Sequence, residues 1–590
     1  MEFIQHVSTV QLEFNEKWNP FLVNSTTSNV SFDDLSNPRY SILGFAIFVL
    51  FLIWHNSPKL QNPSGLPVVG RKWYELGYRN ARDRFLTGAP HVIKDSIKKH
   101  GDAFYLYTDS KFNLILNYKY ADAIRNDNRL SFMKAIQHAS YMVFLKFRTS
   151  SGIHGFEPHM QACSDRRFVR EVVIQVLTRS LSSMIVAHAI KYSNLHGTDQ
   201  LRMRLCAPPE LDRQNWYFVP SLDQRVGANP SFSETHEVML KETMWKIVGQ
   251  ILSRIYFNEE EIYRNPEWIR LSADYIKMST VAAHELRSWP KSVRKIAAKF
   301  NPRCKLIQNR LESLRELTKP LVTKLNSQKP AENPASPVEW LNKAFHDESP
   351  DLVSMIIAIC FVSYDAGTEA LTEILTDISG KDQLIRDLRS EIIEVIGKEG
   401  FSRTALQNLH LMDSVMKESQ RLHPESYDHS SASRNLRPYL VPVQRLAMED
   451  VTLPDGIVIP KDTVVMISGV HMMMDSSVWP DGQKFDGYRF YNLRQKANKA
   501  SQSSFNYVST SPEHMGFGHG NQACSGRFFA GYLIKIVLCH ILMKYDFSVK
   551  VPAEGAQLDR AYTVVAHPEL RINLTRRTPE IPLEVAGSKA

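Results

Sequence analysis

The sequence is poor in paired cysteines. Its six cysteines, Cys163, Cys206, Cys304, Cys360, Cys524 and Cys539, are scattered over 590 residues, and no CxxC pair occurs. A thiolate zinc site and a disulfide framework therefore have no spacing to rest on. Reduced, mostly buried thiols in a cytosolic body explain all but one of the six. No run of Lys and Arg with interleaved aromatics is present, so nucleic acid is not an expected partner. No internal repeat is visible. What remains is an ordinary globular composition, 43% hydrophobic and 23% charged, which argues against global disorder. The length fits several domains or one large enzyme domain. The net charge of +9 is uneven: residues 1–38 carry −4 and the remainder +13. A modest basic excess on a large body suits acidic partners or an anionic membrane surface.

Long apolar runs are also scarce, with one exception. Tyr40 to Trp54 holds no charge over 15 residues. As a helix it reaches roughly 22 Å against a hydrocarbon core of about 30 Å, a short span or an interfacial segment. A buried core helix is the other reading of that length. Tyr40 and Trp54 suit interface anchors, and Lys59, Arg71 and Lys72 follow a segment rich in acids. The expected order is a luminal segment 1–39, a single-pass anchor 40–54, a proline-rich linker 55–70 and a cytosolic body 71–590. Two acceptor sequons, at Asn24 and Asn29, fall in the luminal part.

The body reads as mainly helical. "APHVIKDSIKKHG" is amphipathic and stops at Gly101, and "AFYLYTDSKFNLILNY" alternates as a hairpin. Residues 195–235, rich in Pro, Asn and Ser, read as an insertion or long surface loop. A long helix is expected from Pro350 to about Ser379, with Ser349 as its cap and Gly380 as its stop. Its first half is apolar on every side, so it should be buried. Its middle, "YDAGTEA", sets Asp365 and Glu369 on one face beside Ala366 and Gly367. That is either a packing notch or a groove for a flat ligand. A second helix, "DSVMKESQRLHPES", has Asp413 as its candidate cap and Pro424 as its end. It places Glu418 and Arg421 at i, i+3. Alone these make a surface ion pair; with Arg489 of "KFDGYRF" they make a buried network.

"FGHGNQACSGRFFA", Phe517 to Ala530, admits three readings. Gly518 to Ala523 matches the dinucleotide fingerprint GxGxxA, but the polar, proline-containing stretch before it is no strand. A plain loop with a buried cysteine leaves the flanking Gly520 and Gly526 unexplained. A thiolate ligand explains them: Cys524 opens a strong helix pattern, where amides and dipole stabilise an anionic sulfur. One protein thiolate on an iron with an open opposite face describes a cysteine-ligated haem.

The segment resembles the haem loop of the cytochrome P-450 family, FxxGx(R/H)xCxG, with Phe517, Gly520, Cys524 and Gly526 in place. "ESQR", Glu418 to Arg421, resembles the family's ExxR helix, and Arg489 its third network member. "VQRLAMEDVTLPDGIVIPKDT" is similar to the segment whose arginine, here Arg445, reaches a haem propionate. The resemblance runs from about 40 to 575 and is nearest to fungal members. It departs in two places. Gln522 stands where the family has Arg or His, so Arg445 carries more of the propionate contact. On the oxygen helix alanine replaces threonine, as Ala366 after Asp365 or as Ala370 after Glu369. The first register is the closer match, and Thr368 or a substrate hydroxyl then takes over.

The resemblance implies a mainly α (α+β) fold with a long central helix, small β-sheets and an N-terminal anchor. It implies haem b on Cys524, with Phe517, Gly520, Gln522, Gly526 and Arg445 around it. Asp365, Ala366, Thr368 and Glu369 would form the oxygen-activating stretch. The activity implied is monooxygenation of a hydrophobic small molecule, a terpenoid-like fungal secondary metabolite. Electrons come from NADPH through a membrane-bound reductase docking on the basic face near Cys524, at the endoplasmic reticulum membrane. A haem-thiolate isomerase or dehydratase, and a non-catalytic haem sensor, are the alternatives.

Overall fold

The computed structural model describes residues 60–583, apart from 155–234, 424–442 and several shorter stretches. The apolar run Tyr40–Trp54, the sequons at Asn24 and Asn29, Ser349, Pro350, Pro424 and nearly all of 195–235 lie outside the described residues. Among the described residues no helix is long and apolar enough to cross a membrane.

The strands that matter here are β1 (Val68–Val69), β2 (Ala103–Tyr107), β3 (Phe112–Asn117), β4 (Leu130–Ser131), β5 (Thr235–Met239), β6 (Val443–Ala447), β7 (Val464–Ser468), β8 (Tyr545–Lys550), β9 (Gln557–Arg560), β10 (Thr563–Ala566) and β11 (Arg571–Arg576). Six of them form one sheet in the order β1-β2-β3-β7-β6-β4, so β4 is an edge. The alternating run does form a hairpin, with Ala103 opposite Leu116 and Tyr107 opposite Phe112. The expected linker 55–70 needs correction at its end. Val68 and Val69 pair in parallel with Tyr105 and Leu106, and Leu60 and Leu66 pack on the core behind them. The open edge of β2 offers main-chain partners, and two leucines cover apolar surface there; both favour docking over a free linker. A second sheet runs β8-β11-β5, and β9 and β10 form a hairpin.

The helices that matter here are α1 (Arg79–His100), α2 (Ala121–Ile124), α3 (Leu240–Phe257), α4 (Pro266–Arg287), α5 (Pro302–Ser327), α6 (Leu352–Ile378), α7 (Asp382–Glu399), α8 (His410–Leu422), α9 (Arg489–Lys496) and α10 (Arg527–Lys544). α6 is the expected long helix. Its cap is Asp351 rather than Ser349: the carboxylate accepts from Ser354 N at 3.2 Å and is held by Arg315 at 2.6 Å. An aspartate at that place satisfies an end amide and complements the helix dipole. Tyr364 and Gly367 face α3, where Ser253 bonds the Tyr364 hydroxyl at 2.6 Å and a Cβ on the glycine would press on Val248 at 3.3 Å. Asp365, Ala366, Glu369 and Ala370 are half-buried.

α8 also starts differently from the sequence expectation. It begins at His410, and Asp413 lies inside it, ion-paired with Lys535 at 3.0 Å. The capping acceptor comes from α7: Glu391 receives Leu411 N at 2.6 Å and Met412 N at 3.0 Å. A cap delivered from a neighbouring helix leaves no local sequence signal. Burial pushes the Glu391 carboxyl up to about 7, against those two amide bonds.

Candidate functional site

Three segments meet around the loop before α10. Phe517 is buried against the Tyr507 ring, and its carbonyl accepts Cys524 N at 2.8 Å, closing the loop on itself. Gly518 and Gly520 hold positive φ angles of 73° and 75°. At Gly520 a Cβ would also lie 2.6 Å from the Arg125 carbonyl, so only glycine fits. Cys524 is half-buried just before the first turn of α10, with Arg527 donating to its carbonyl at 2.7 Å. A Cβ at Gly526 would sit 3.8 Å from the sulfur; the glycine leaves that flank open.

Arg445 lies on β6 opposite Val465 and is 1% exposed. Its Nη1 donates to the Gln444 carbonyl at 2.8 Å, while Nε and Nη2 have no partner among the described residues. The Phe132 ring lies 5.5 Å from the guanidinium carbon. Burial lowers Arg445 to about 10, which still leaves it charged at neutral pH. A buried cation with unused donors calls for an anion. Gln522, expected beside a propionate, bonds the backbone of β4 and its neighbour: Oε1 accepts Phe132 N at 2.7 Å and Nε2 donates to the Leu130 carbonyl at 2.8 Å.

The three charged residues of the expected network come together. Arg421 grips Glu418 in a bidentate pair, Nε and Nη2 each at 2.8 Å, and both residues are 0% exposed. Arg489 Nε bonds the same carboxylate at 3.0 and 3.1 Å. The remaining guanidinium groups reach the carbonyls of Met473, Gly482 and Pro480, and Asp486 N donates to Glu418. The geometry is that of a satisfied buried ion cluster, not a surface pair.

On α6 the polar residues divide. The Thr368 hydroxyl is buried and donates to the Tyr364 carbonyl at 2.6 Å. Glu369 accepts Ala566 N at 2.7 Å and pairs with Lys241 at 2.5 Å, tying α6 to β10 and α3. Further along, Glu373, Asp377, His423 and Gln557 form a half-buried cluster that the sequence reading did not single out. His423 Nε2 lies 3.0 Å from Asp377, and Gln557 bonds both Glu373 and His423. Burial alone would lower the His423 imidazole; Asp377 and Glu373 outweigh it and hold the ring at about 9. A signal was present, since Asp365, Glu369, Glu373 and Asp377 recur every fourth residue. Gln557, distant in sequence, gave none.

Comparison with known proteins bears on this arrangement. The family model for cytochrome P450 matches residues 214–575. The cytochrome P450 monooxygenase esdpI of Penicillium shearii is 32% identical, covering 92% of this chain and 96% of its own. The cytochrome P450 monooxygenase pyr3 of Aspergillus fumigatus is 31% identical over 92% and 95%. The retinoic-acid-bound cyanobacterial CYP120A1 has the same fold, with a TM-score of 0.57 at 17% identity, over 84% of this chain and 96% of that one. The family's cofactor fits the residues present. Haem b carries two carboxylates, matching the unused donors of Arg445, and its iron takes one thiolate of the kind Cys524 offers at a helix mouth. The chain thus belongs to the cytochrome P450 family, a haem b monooxygenase that draws electrons from NADPH through a reductase.

Proposed function

We propose that Cys524 is the thiolate ligand of the haem, that Arg445 pairs with a propionate, and that Asp365 and Ala366 line the face where oxygen is activated. The observation that carries this reading is the buried Arg445 guanidinium with two unused donor atoms, placed across Phe132 from the loop that holds Cys524. The haem supplies the oxygen chemistry: one atom of dioxygen enters the substrate and the other leaves as water. The chain's own residues set its conditions. The end of α10 and its amides favour the anionic form of Cys524. On α6 the register that sets Asp365 directly before Ala366 makes Asp365 the proton-handling acid, while Glu369 ties α6 to Lys241 and Ala566. Ala366 brings no hydroxyl, so a substrate hydroxyl or an ordered water near Asp365 takes that place.

The substrate is a hydrophobic skeleton of the terpenoid-like fungal secondary-metabolite class. The body sits on the cytosolic face of the endoplasmic reticulum, anchored by 40–54, with 1–39 luminal and glycosylated at Asn24 and Asn29. Exposed apolar side chains beside basic ones support membrane contact: Trp73 (90% exposed) and Tyr74 next to Arg71 and Lys72, and Phe300 (81%) and Ile296 near Lys299 and Arg303. The test is co-expression with a reductase and feeding with candidate terpenoids. Products gaining one oxygen atom, only with NADPH, support the reading. Conversion without NADPH, or binding with no turnover, rejects it. A deoxygenated analogue should release more hydrogen peroxide per NADPH than the true substrate; an equal ratio rejects the substrate-hydroxyl part.

A further inference from the structure

Gln522 occupies the one position of the haem loop where this chain departs from its family's charge. Its two amide bonds have a specific form. Ser131 faces β6, and the Arg129 carbonyl accepts Met448 N on that same side. The Leu130 carbonyl and Phe132 N–H therefore point to the opposite side, the open edge of the sheet. Gln522 covers that edge as a further strand would, giving one acceptor and one donor. The same loop is stitched to the same region nearby: Asn521 N donates to Asn126 at 2.9 Å, and His519 Nε2 lies 3.1 Å from Asp122. Phe132, whose N–H is clamped, places its ring against Arg445. A line of contacts thus runs from two residues before Cys524, through Phe132, to the unused donors of Arg445.

We propose that Gln522 is a positioning residue rather than a propionate ligand: it fastens the Cys524 loop to the β4 edge and, through Phe132, sets the place of the Arg445 guanidinium. This rests on the haem reading above. It makes Arg445 the residue that supplies the charge, and it turns the apparent loss of a second cation into a gain of loop rigidity. It also reverses a simple expectation. Arginine, the family's residue at this position, offers donors only and cannot accept the Phe132 N–H. It would also add a like charge toward Arg445.

The experiment compares Gln522→Arg, Gln522→Ala and the unaltered protein, each alone and with Arg445→Leu. Haem transfer to excess apomyoglobin is followed, and amide hydrogen exchange at Phe132 is read in the haem-loaded protein. Both single Gln522 variants should lose haem about tenfold faster, the scale of one buried hydrogen bond. Phe132 N–H should become fast-exchanging in both. In the Arg445→Leu background the Gln522→Ala effect should shrink to less than about twofold, because there is no guanidinium left to place. Haem held as long or longer by Gln522→Arg would overturn the proposal in favour of direct contact. Unchanged exchange at Phe132, or full additivity with Arg445→Leu, would overturn it as well. If the unaltered protein takes up no haem, the site reading itself falls, and this result is distinct from the others.

Discussion

Arg421 and Arg445 are both buried guanidinium groups, 0% and 1% exposed, yet their surroundings differ in kind. Every nitrogen of Arg421 has a protein acceptor, from Glu418 or from main-chain carbonyls. Arg445 has one, and its Nε and Nη2 have none among the described residues. Burial with complete pairing marks a group that holds the scaffold together. Burial without it marks a place prepared for something else. The two arginines were read from equally short motifs, and the sequence distinguished them only through resemblance.

The largest expected effect breaks the complete side. Glu418→Ala leaves Arg421 and Arg489 buried without their anion, a cost of about 3–5 kcal/mol. Little or no haem-loaded protein should accumulate on expression. Normal yield and haem content would mean that the cluster is not what holds this region.

Next is the contrast along α6. Asp365→Asn should slow substrate-dependent NADPH consumption by about 10²-fold, the lower end for loss of a positioned acid or base. Substrate binding, followed by the spectral shift on titration, should stay nearly unchanged. Glu369→Gln should act on stability through Lys241 and β10, with a small effect on rate. The reverse assignment of effects would move the oxygen site four residues along the helix.

Arg445→Leu tests the open side, and there the sign matters. Removing a buried cation that no group among the described residues balances should leave the melting temperature of the haem-free protein unchanged or higher. Haem loss should be at least about tenfold faster, since a hydrogen bond to a charged group is worth about 1.5–3 kcal/mol. A lower melting temperature with unchanged haem loss would place Arg445 with Arg421 among scaffold groups.

The smallest effect concerns the cluster at His423, which is paired but titratable. Its imidazole, ordinarily near 6.5, stands at about 9 in the folded protein. The stabilisation is therefore complete below about pH 6.5 and is lost as pH rises through 9. Burial pushes Glu373 up to about 7, with Glu369 and Asp377 adding, so its protonated form is favoured; that contribution fades between pH 4.5 and 7. Between pH 7 and 9.5 the melting temperature should drop by about 2–4 °C. His423→Gln should flatten that drop, and an equal drop in the variant would remove His423 as its cause.

These outcomes bear on what a sequence can carry. The hairpin β2–β3, the long helix α6 and the union of Glu418, Arg421 and Arg489 were all legible, because periodicity and a short motif encode them locally. What failed was supplied from a distance. Glu391 caps α8 from α7, so Asp413 was misread as the cap. Val68 and Val69 found a strand partner more than thirty residues on, so a packed segment was read as linker. The two partners of the Gln522 amide, Leu130 and Phe132, were equally hidden. No local pattern announces partners nearly four hundred residues apart.

The most direct probe of the site is the spectrum of the reduced protein under carbon monoxide. The unaltered chain should show the strongly red-shifted Soret band of a thiolate-ligated haem, and Cys524→Ala should lose that band. If Cys524→Ala keeps the band at full strength, Cys524 is not the ligand, and the reading of this loop is wrong.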